Sequence, residues 1–494
     1  MLISGLALGA VLGFVMQRGR FCVTGFLRDI FTQRSWRGFV ALLIVISVHA
    51  IGLAALTSAG VITPEYNELA PVAVIVGGVI FGLGIVLAGG CASGTWYRSG
   101  EGLIGSWIAL VFYALSAAAM KTGFLGGLQN SLKDRTVGLT SIHASLGISI
   151  WPLVIALSAV TAYFAVRFLR EEFSGPRPVT LAPRKSGLAH ILAEKPWHVY
   201  ATAAIVGVLG VIAWPLSAAT GRNDGLGITT PSSNLANYVV TGDTERFDWG
   251  VLLVLGILVG SFIAAKASGE FRLRVPDATQ GARSVVGGIF MGVGAAWAGG
   301  CTVGNGMVQT SLFSYQGWLA LASIAAGVAI AAKLWLKPSA PSLNDVPSTP
   351  STTNDTAVSA TAPVASAATS PVSLPGSEGA GAAGTEASPL AGAFAVAPVA
   401  LLDRSVVKQD DGKLKPLGGG RYELDTVGAV CPFPLIEAKD AINKIEVGEE
   451  LVIPFDCTQA TDAIPRWAAK DGHEVTNFEQ TGEAGWTISV RRGK

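Results

Sequence analysis

The chain has 494 residues, half of them hydrophobic and only 14% charged, with a net charge of +1. Soluble domains carry about a quarter charged residues, so the composition excludes an ordinary soluble protein, and the near-neutral balance argues against nucleic-acid binding. Mean hydropathy is +0.50, and the five cysteines are too few and too scattered for a disulfide framework.

Three regions lie under these averages. Residues 1–337 are nearly continuous apolar stretches, 338–419 are rich in Pro, Ser, Thr, Ala and Gly, and 420–494 have the evenly spread charges of a soluble domain. A helix that crosses a bilayer takes roughly 17–25 apolar residues. On that scale, spans are predicted near 1–17, 38–59, 71–90, 102–119, 151–169, 197–217, 249–267, 283–299 and 315–336. The first reads as a span rather than a signal peptide, because Arg18, Arg20 and Arg28 come after the apolar run and no basic residue precedes it.

Loop charges set an orientation. The loops at 167–196 and 266–283 are basic, whereas those holding Glu65 and Glu68, and Asp224, Asp243, Glu245 and Asp248, are acidic. Basic loops stay in the cytoplasm, so nine spans put the N-terminus in the periplasm and the C-terminal domain in the cytoplasm of an inner-membrane, multi-pass protein. Segments 18–37, 91–101, 120–150 and 300–314 are part polar and glycine-rich. They are predicted to be short re-entrant helices, tolerated at membrane depth only where protein or a wet cavity surrounds them. The region 338–419 reads as a flexible linker, too poor in large apolar side chains to fold.

An internal repeat is the strongest signal. The segment from Gly77 to Gly94 matches that from Gly287 to Gly304, ending in Ala88-Gly89-Gly90-Cys91 and Ala298-Gly299-Gly300-Cys301. The preceding helices run in opposite directions under the predicted topology, which makes this an inverted repeat, with a binding site expected at its interface. Spaced glycines such as Gly5, Gly9 and Gly13 are explained by close helix packing alone. The repeated cysteine is not. A Gly-Gly turn stops a helix and sets the cysteine at the start of the next one, where backbone N–H groups attract anions. Two such termini facing each other would hold a dianion. Cys22, in a similar Gly-flanked setting, adds a third thiol. His49 is the clearest ionisable residue within a span, and a lone histidine there is usually a packed or hydrogen-bonded one.

From 421 the order strand–helix–strand–helix–strand–strand predicts a small α/β two-layer sandwich, with helices at 434–444 and 461–471. Cys431-Pro432-Phe433-Pro434 puts a thiol at a helix N-terminus, where its thiolate is favoured and proline suits the first turn. That fits a sulfur acceptor. Cys457 also precedes a helix and reads as a second sulfur site, a resolving thiol or an incidental small residue. Asp456 and Asp462 look like capping residues.

On Arg20-Phe21-Cys22 and the two Ala-Gly-Gly-Cys turns, residues 1–337 resemble the YeeE/YedE family of sulfur-compound transporters. On Cys431-Pro432-Phe433-Pro434, residues 420–494 resemble the TusA-like sulfur carriers. The combination looks like a thiosulfate-uptake transporter joined to its carrier. The resemblance implies that thiosulfate passes along Cys22, Cys91 and Cys301, flanked by Gly90 and Gly300, through weak thiol contacts rather than covalent transfer. Cys431 would then receive the sulfur. It also implies cytosolic sulfur-relay or cysteine-synthesis partners, a lipid bilayer, no nucleic acid, and neither metal nor cofactor. The family's usual proline after the aspartate is replaced by Cys457. Two other readings stay open: a membrane-anchored sulfurtransferase passing persulfide, and an importer of another sulfur or selenium compound. A sensor regulated by its tail is weaker.

Overall fold

A segment in hydrocarbon must satisfy its own backbone hydrogen bonds, and the apolar region does so as helix. The computed structural model describes residues 2–336 and 414–493. In chain order the helices are α1 (Ile3–Arg18), α2 (Val23–Thr32), α3 (Arg37–Ser58), α4 (Pro71–Leu87), α5 (Ala92–Gly100), α6 (Ile104–Lys121), α7 (Gly126–Lys133) and α8 (Ile142–Ser145). Next come α9 (Trp151–Ser174), α10 (Gly187–Ala193), α11 (Val199–Ala218), α12 (Thr229–Thr241), α13 (Trp249–Ser268), α14 (Ala278–Ala298) and α15 (Tyr315–Trp335).

Among the described residues, eight segments are long and apolar enough to span a membrane, with α1–α2 and α4–α5 each counted as one broken span. The ninth expected span, 283–299, is α14. It is long enough at 21 residues, but its glycines and Arg283 lower its hydropathy. The part-polar segments hold the short helices α2, α5, α7 and α8, and a six-residue π-helix at Gly304–Gln309. Helix α12 was not foreseen. It lies in what the sequence presents as an acidic loop, and its polar face hides the usual apolar signal.

Glycines decide how these helices meet. An added Cβ at Gly5 would lie 2.5 Å from the Trp249 carbonyl oxygen, and one at Gly13 2.8 Å from the Ile257 carbonyl carbon. Helices α1 and α13 are therefore parallel and in backbone contact. The repeat helices α4 and α14 meet the other way. Gly77 faces Gly294 and Ala298, while Gly84 faces Gly287 and Met291. Rising numbers on one helix match falling numbers on the other, so the pair is antiparallel and the repeat is inverted, as its sequence implied.

The second glycine set extends the symmetry. Gly78 and Gly82 of α4 lie on Ala320, Ser323, Ile324 and Gly327 of α15, and Gly288 and Gly292 of α14 lie on Ala109, Phe112 and Tyr113 of α6. Each repeat helix packs in parallel on the next long helix after its partner, α15 after α14 and α6 after α4. Leucine in these rows would hold the backbones apart and lose the contact.

The C-terminal strands are β1 (Leu414–Gly418), β2 (Arg421–Leu424), β3 (Glu450–Phe455), β4 (Glu474–Gly482) and β5 (Gly485–Arg491). Their spatial order is β1-β2-β3-β5-β4, parallel only between β2 and β3. Helices α16 (Phe433–Ile442) and α17 (Ala460–Asp471) complete the two-layer sandwich, with Leu435, Ile442, Ile453, Phe455, Ile464 and Trp486 in its core. The hairpin strand β1 falls in the stretch read as linker. The rest of that linker lies outside the described residues.

The glycine seam makes a specific prediction. Gly294→Ala forces a methyl to 2.5 Å from the Phe81 nitrogen, an overpacking that costs about 1–3 kcal/mol. Gly281→Ala on the same helix meets nothing within 4 Å. Thermal melts in detergent should show several degrees lost in the first variant and none in the second.

Candidate functional site

Both repeat helices end on a glycine in the left-handed region, Gly89 at φ 71° and Gly299 at φ 78°. These turn the chain, rather than Gly90 and Gly300, the glycines singled out from the sequence. At Gly90 an added Cβ has only ordinary contacts, the nearest being Arg98 Nη1 at 3.6 Å.

Beyond the first turn, Cys91 is the N-cap of α5, and Cys22 is likewise the N-cap of α2 in extended backbone. The two thiols share one space: the Cβ position of Gly94 lies 3.3 Å from Cys91 Sγ and 3.7 Å from Cys22 Sγ. Cys91 Sγ also lies 3.5 Å from the Ser93 hydroxyl. All three membrane cysteines are buried.

Cys301 stands elsewhere. Because α4 and α14 are antiparallel, the end of α14 lies beside Gly77, near the start of α4. The two cysteine turns therefore sit at opposite ends of the pair, and the expectation that they face each other is corrected. Inversion itself requires this, since equivalent turns must leave from opposite ends. The backbone after Cys301 differs as well. The Cys301 carbonyl accepts from Asn305 N–H at 2.9 Å, and the π-helix starts only at Gly304. The Asn305 side chain donates to the carbonyls of Ala298 (2.8 Å) and Gly300 (3.0 Å) and accepts from Gln316 (2.9 Å). Tyr113 packs on Gly292, between the two ends of α14, and donates to Thr229 Oγ1 at 2.8 Å.

Arg98 closes the other side of the thiol pair. Its Nη2 lies 3.9 Å from Cys22 Sγ, and its Nη1 donates to the Gly89 carbonyl. An ionisable residue buried in a membrane segment is a functional candidate by default, and that signal was present in the sequence. His49 is buried with Nδ1 3.3 Å from the Ser311 hydroxyl, the packed histidine that was expected.

The C-terminal domain meets the helical part at the same turn. Val430 Cγ1 lies 3.0 Å from the Cβ position of Gly89. Two charge clusters hold this arrangement. In the first, buried Glu270 accepts from Gln17 (2.6 Å), Arg18 (3.3 Å) and Arg20 (3.1 Å), and Arg20 also donates to Thr461 of α17. Burial alone would raise the Glu270 pKa, but Arg20 and Arg18 outweigh it and hold the carboxyl below its usual range. In the second, Glu172 bridges Arg37 (3.2 Å) and Arg466 of α17 (2.9 Å). The Asp462 carboxylate accepts from Arg466 at 2.8 Å, a paired role in place of the cap expected.

Cys431 precedes α16 as foreseen, but it is disulfide-bonded to Cys457, with Cα atoms 6.0 Å apart. Cys457 is thus the partner of Cys431 rather than incidental; 26 positions of separation hide what the fold juxtaposes. Two cavities flank Cys431. One is lined by Thr24, Arg28, Gly89, Arg283 and Phe433, among others. The other is lined by Arg98, Glu101, Ser106, Arg274, Ser284, Asp456 and Cys457, among others.

Comparison with known proteins agrees with this architecture. Residues 18–330 match the family described as Sulphur transport, and residues 422–492 match Sulfurtransferase TusA. The chain is 51% identical over 328 residues to the thiosulfate transporter TsuA of Escherichia coli K12, covering 66% of this chain and 93% of the relative. It is 32% identical over 337 residues to the TsuA of Spirochaeta thermophila, covering 65% and 94%. Its C-terminal part is 59% identical over 70 residues to the putative sulfur carrier protein TsuB of E. coli K12, covering 14% of this chain and 93% of that one. The chain belongs to the sulphur-transport family and carries a TusA domain at its C-terminal end.

Proposed function

We propose that this protein imports thiosulfate across the inner membrane and delivers it to its own carrier domain. The ion enters near Cys301, moves past Tyr113 to the Cys22–Cys91 pair, and leaves by the Gly89 turn toward Cys431. The basic loops at 167–196 and 266–283 contribute residues to the carrier-side contacts, including Arg184, whose Nη2 donates to the Gln480 carbonyl at 3.3 Å. This supports a cytoplasmic carrier and a periplasmic N-terminus. The observation that carries the reading is the contact of Val430 with Gly89: a single turn separates the last membrane thiols from the acceptor loop.

Thiols suit such a path. A thiol is a weak donor and a weak acceptor, and conduction needs sites favourable enough to enter yet weak enough to leave. A lysine at the same positions would hold the dianion. On the carrier, a dithiol reductant first gives two electrons and two protons to the Cys431–Cys457 disulfide, leaving as a cyclic disulfide and freeing both thiols. The Cys431 thiolate then attacks the sulfane sulfur. A new S–S bond forms, the S–S bond of thiosulfate breaks, and its electron pair leaves on sulfite. Cytosolic sulfur-relay or cysteine-synthesis proteins accept the sulfur next.

Anchoring of a sulfurtransferase alone explains neither the inverted repeat nor the buried thiols, and flux separates the two readings. In proteoliposomes the wild type should accumulate labelled thiosulfate, with sulfate and selenite as competitors to define selectivity. Absence of flux sinks the importer. Cys91→Ala and Cys301→Ala should each lower flux by about tenfold or more, the loss of about 1.4 kcal/mol, and abolish growth on thiosulfate in a strain lacking other importers. Normal growth at normal expression would remove the thiols from the path. Cys431→Ser should retain flux while losing persulfide formation, read by mass spectrometry; complete loss of flux would make the carrier part of the pore cycle.

A further inference from the structure

The cavity beside Cys431 and Cys457 holds polar groups that the path does not use. Its walls come from the membrane part at Arg98, Arg274 and Ser284 and from the carrier at Asp456, Cys431 and Cys457. Among the described residues, Nε and Nη2 of Arg274 and the hydroxyl of Ser284 are buried without a hydrogen-bond partner. Ser284 is wholly buried. Buried donors are nearly always satisfied, and leaving a guanidinium unpaired is costly.

Two carboxylates, Asp456 and Glu101, share the cavity, but neither accepts a hydrogen bond from Arg274 Nε or Nη2. Asp456 Oδ1 accepts from Gly428 N–H at 3.0 Å, and Glu101 Oε1 accepts from the Gln17 amide at 3.3 Å. Arg274 is also fixed at its backbone, with its N–H on the Gly102 carbonyl and its carbonyl accepting from Ile104 N–H, both at 3.0 Å. What remains is a fixed guanidinium edge and a hydroxyl beside the acceptor cysteine, with the Arg98 guanidinium on the membrane side. That set matches a sulfur oxyanion, which takes parallel N–H donors from arginine and satisfies the unpaired groups.

We propose that Arg274 and Ser284 form an oxyanion site that holds the sulfonate end of thiosulfate beside Cys431 and, after transfer, the sulfite that leaves. This rests on the reading of Cys431 as the sulfur acceptor. When the thiolate attacks the sulfane sulfur, the electron pair of the broken S–S bond collects on the sulfite, and donors already in place stabilise that charge. Arg274 acts here as a binding residue for the oxyanion, and Cys431 is the group that meets the sulfane sulfur.

The test uses the full chain in detergent, treated with a dithiol and desalted, with persulfide on Cys431 followed by mass spectrometry. Thiosulfate and inorganic polysulfide serve as alternative sulfur donors, because polysulfide has no sulfonate. Arg274→Gln should raise the thiosulfate concentration for half-maximal rate about tenfold or more. Ser284→Ala should raise it less, and Arg274→Lys should restore part of the loss. The same variants should weaken inhibition by added sulfite and leave the polysulfide reaction unchanged. Unchanged thiosulfate and sulfite dependence in both Arg274→Gln and Ser284→Ala would overturn the site. An equal slowing with polysulfide would also overturn it, by showing a structural role. A wild type that reacts with polysulfide but never with thiosulfate would overturn the site and the acceptor reading together, whereas loss of flux with intact persulfide formation strikes the importer alone.

Discussion

Everything in the helical part depends on two helices meeting backbone to backbone. Gly77 and Gly84 of α4 against Gly287 and Gly294 of α14 allow an approach that no side chain would permit. Apolar burial gives little drive between helices in lipid, so close packing must supply it. Because the same glycine positions recur on both helices, the contact is self-complementary and antiparallel. The neighbouring rows, Gly78 and Gly82, and Gly288 and Gly292, then fix α15 and α6 by the same rule.

That inversion dictates where the chemistry falls. Equivalent Gly-Gly turns leave opposite ends of the pair, so Cys91 and Cys301 are staggered along it. Cys22 joins Cys91 because α1 ends on the carrier side, where Arg98 ties the thiol pair to the Gly89 carbonyl. The outcome is two separated thiol positions rather than one shared one.

Charge clusters hold the carrier, alongside apolar contacts such as Leu181 against the carrier core and Val430 at Gly89. Glu270 and Glu172 each gather two arginines, and each cluster reaches α17, through Thr461 in one case and Arg466 in the other. Buried charge networks of this kind are costly to break but specify orientation, and orientation is what brings Val430 against Gly89. The same docking encloses Arg274 and Ser284, which neither part alone would bury beside a cysteine.

Much of this was legible from residue order. Apolar length marked the spans, the glycine–cysteine repeat marked inversion, and Cys431-Pro432-Phe433-Pro434 marked a cysteine at a helix start. These are local signals, carried by periodicity and by residues with special backbone freedom. Helix α12 escaped because its buried face is polar, and β1 because a short edge strand resembles linker. Tertiary structure alone decided the pairing of Cys22 with Cys91, the bond between Cys431 and Cys457, and the cavity around Arg274. Each joins residues from distant segments, and such proximity is set by how helices and sheet close on one another, which no local pattern records.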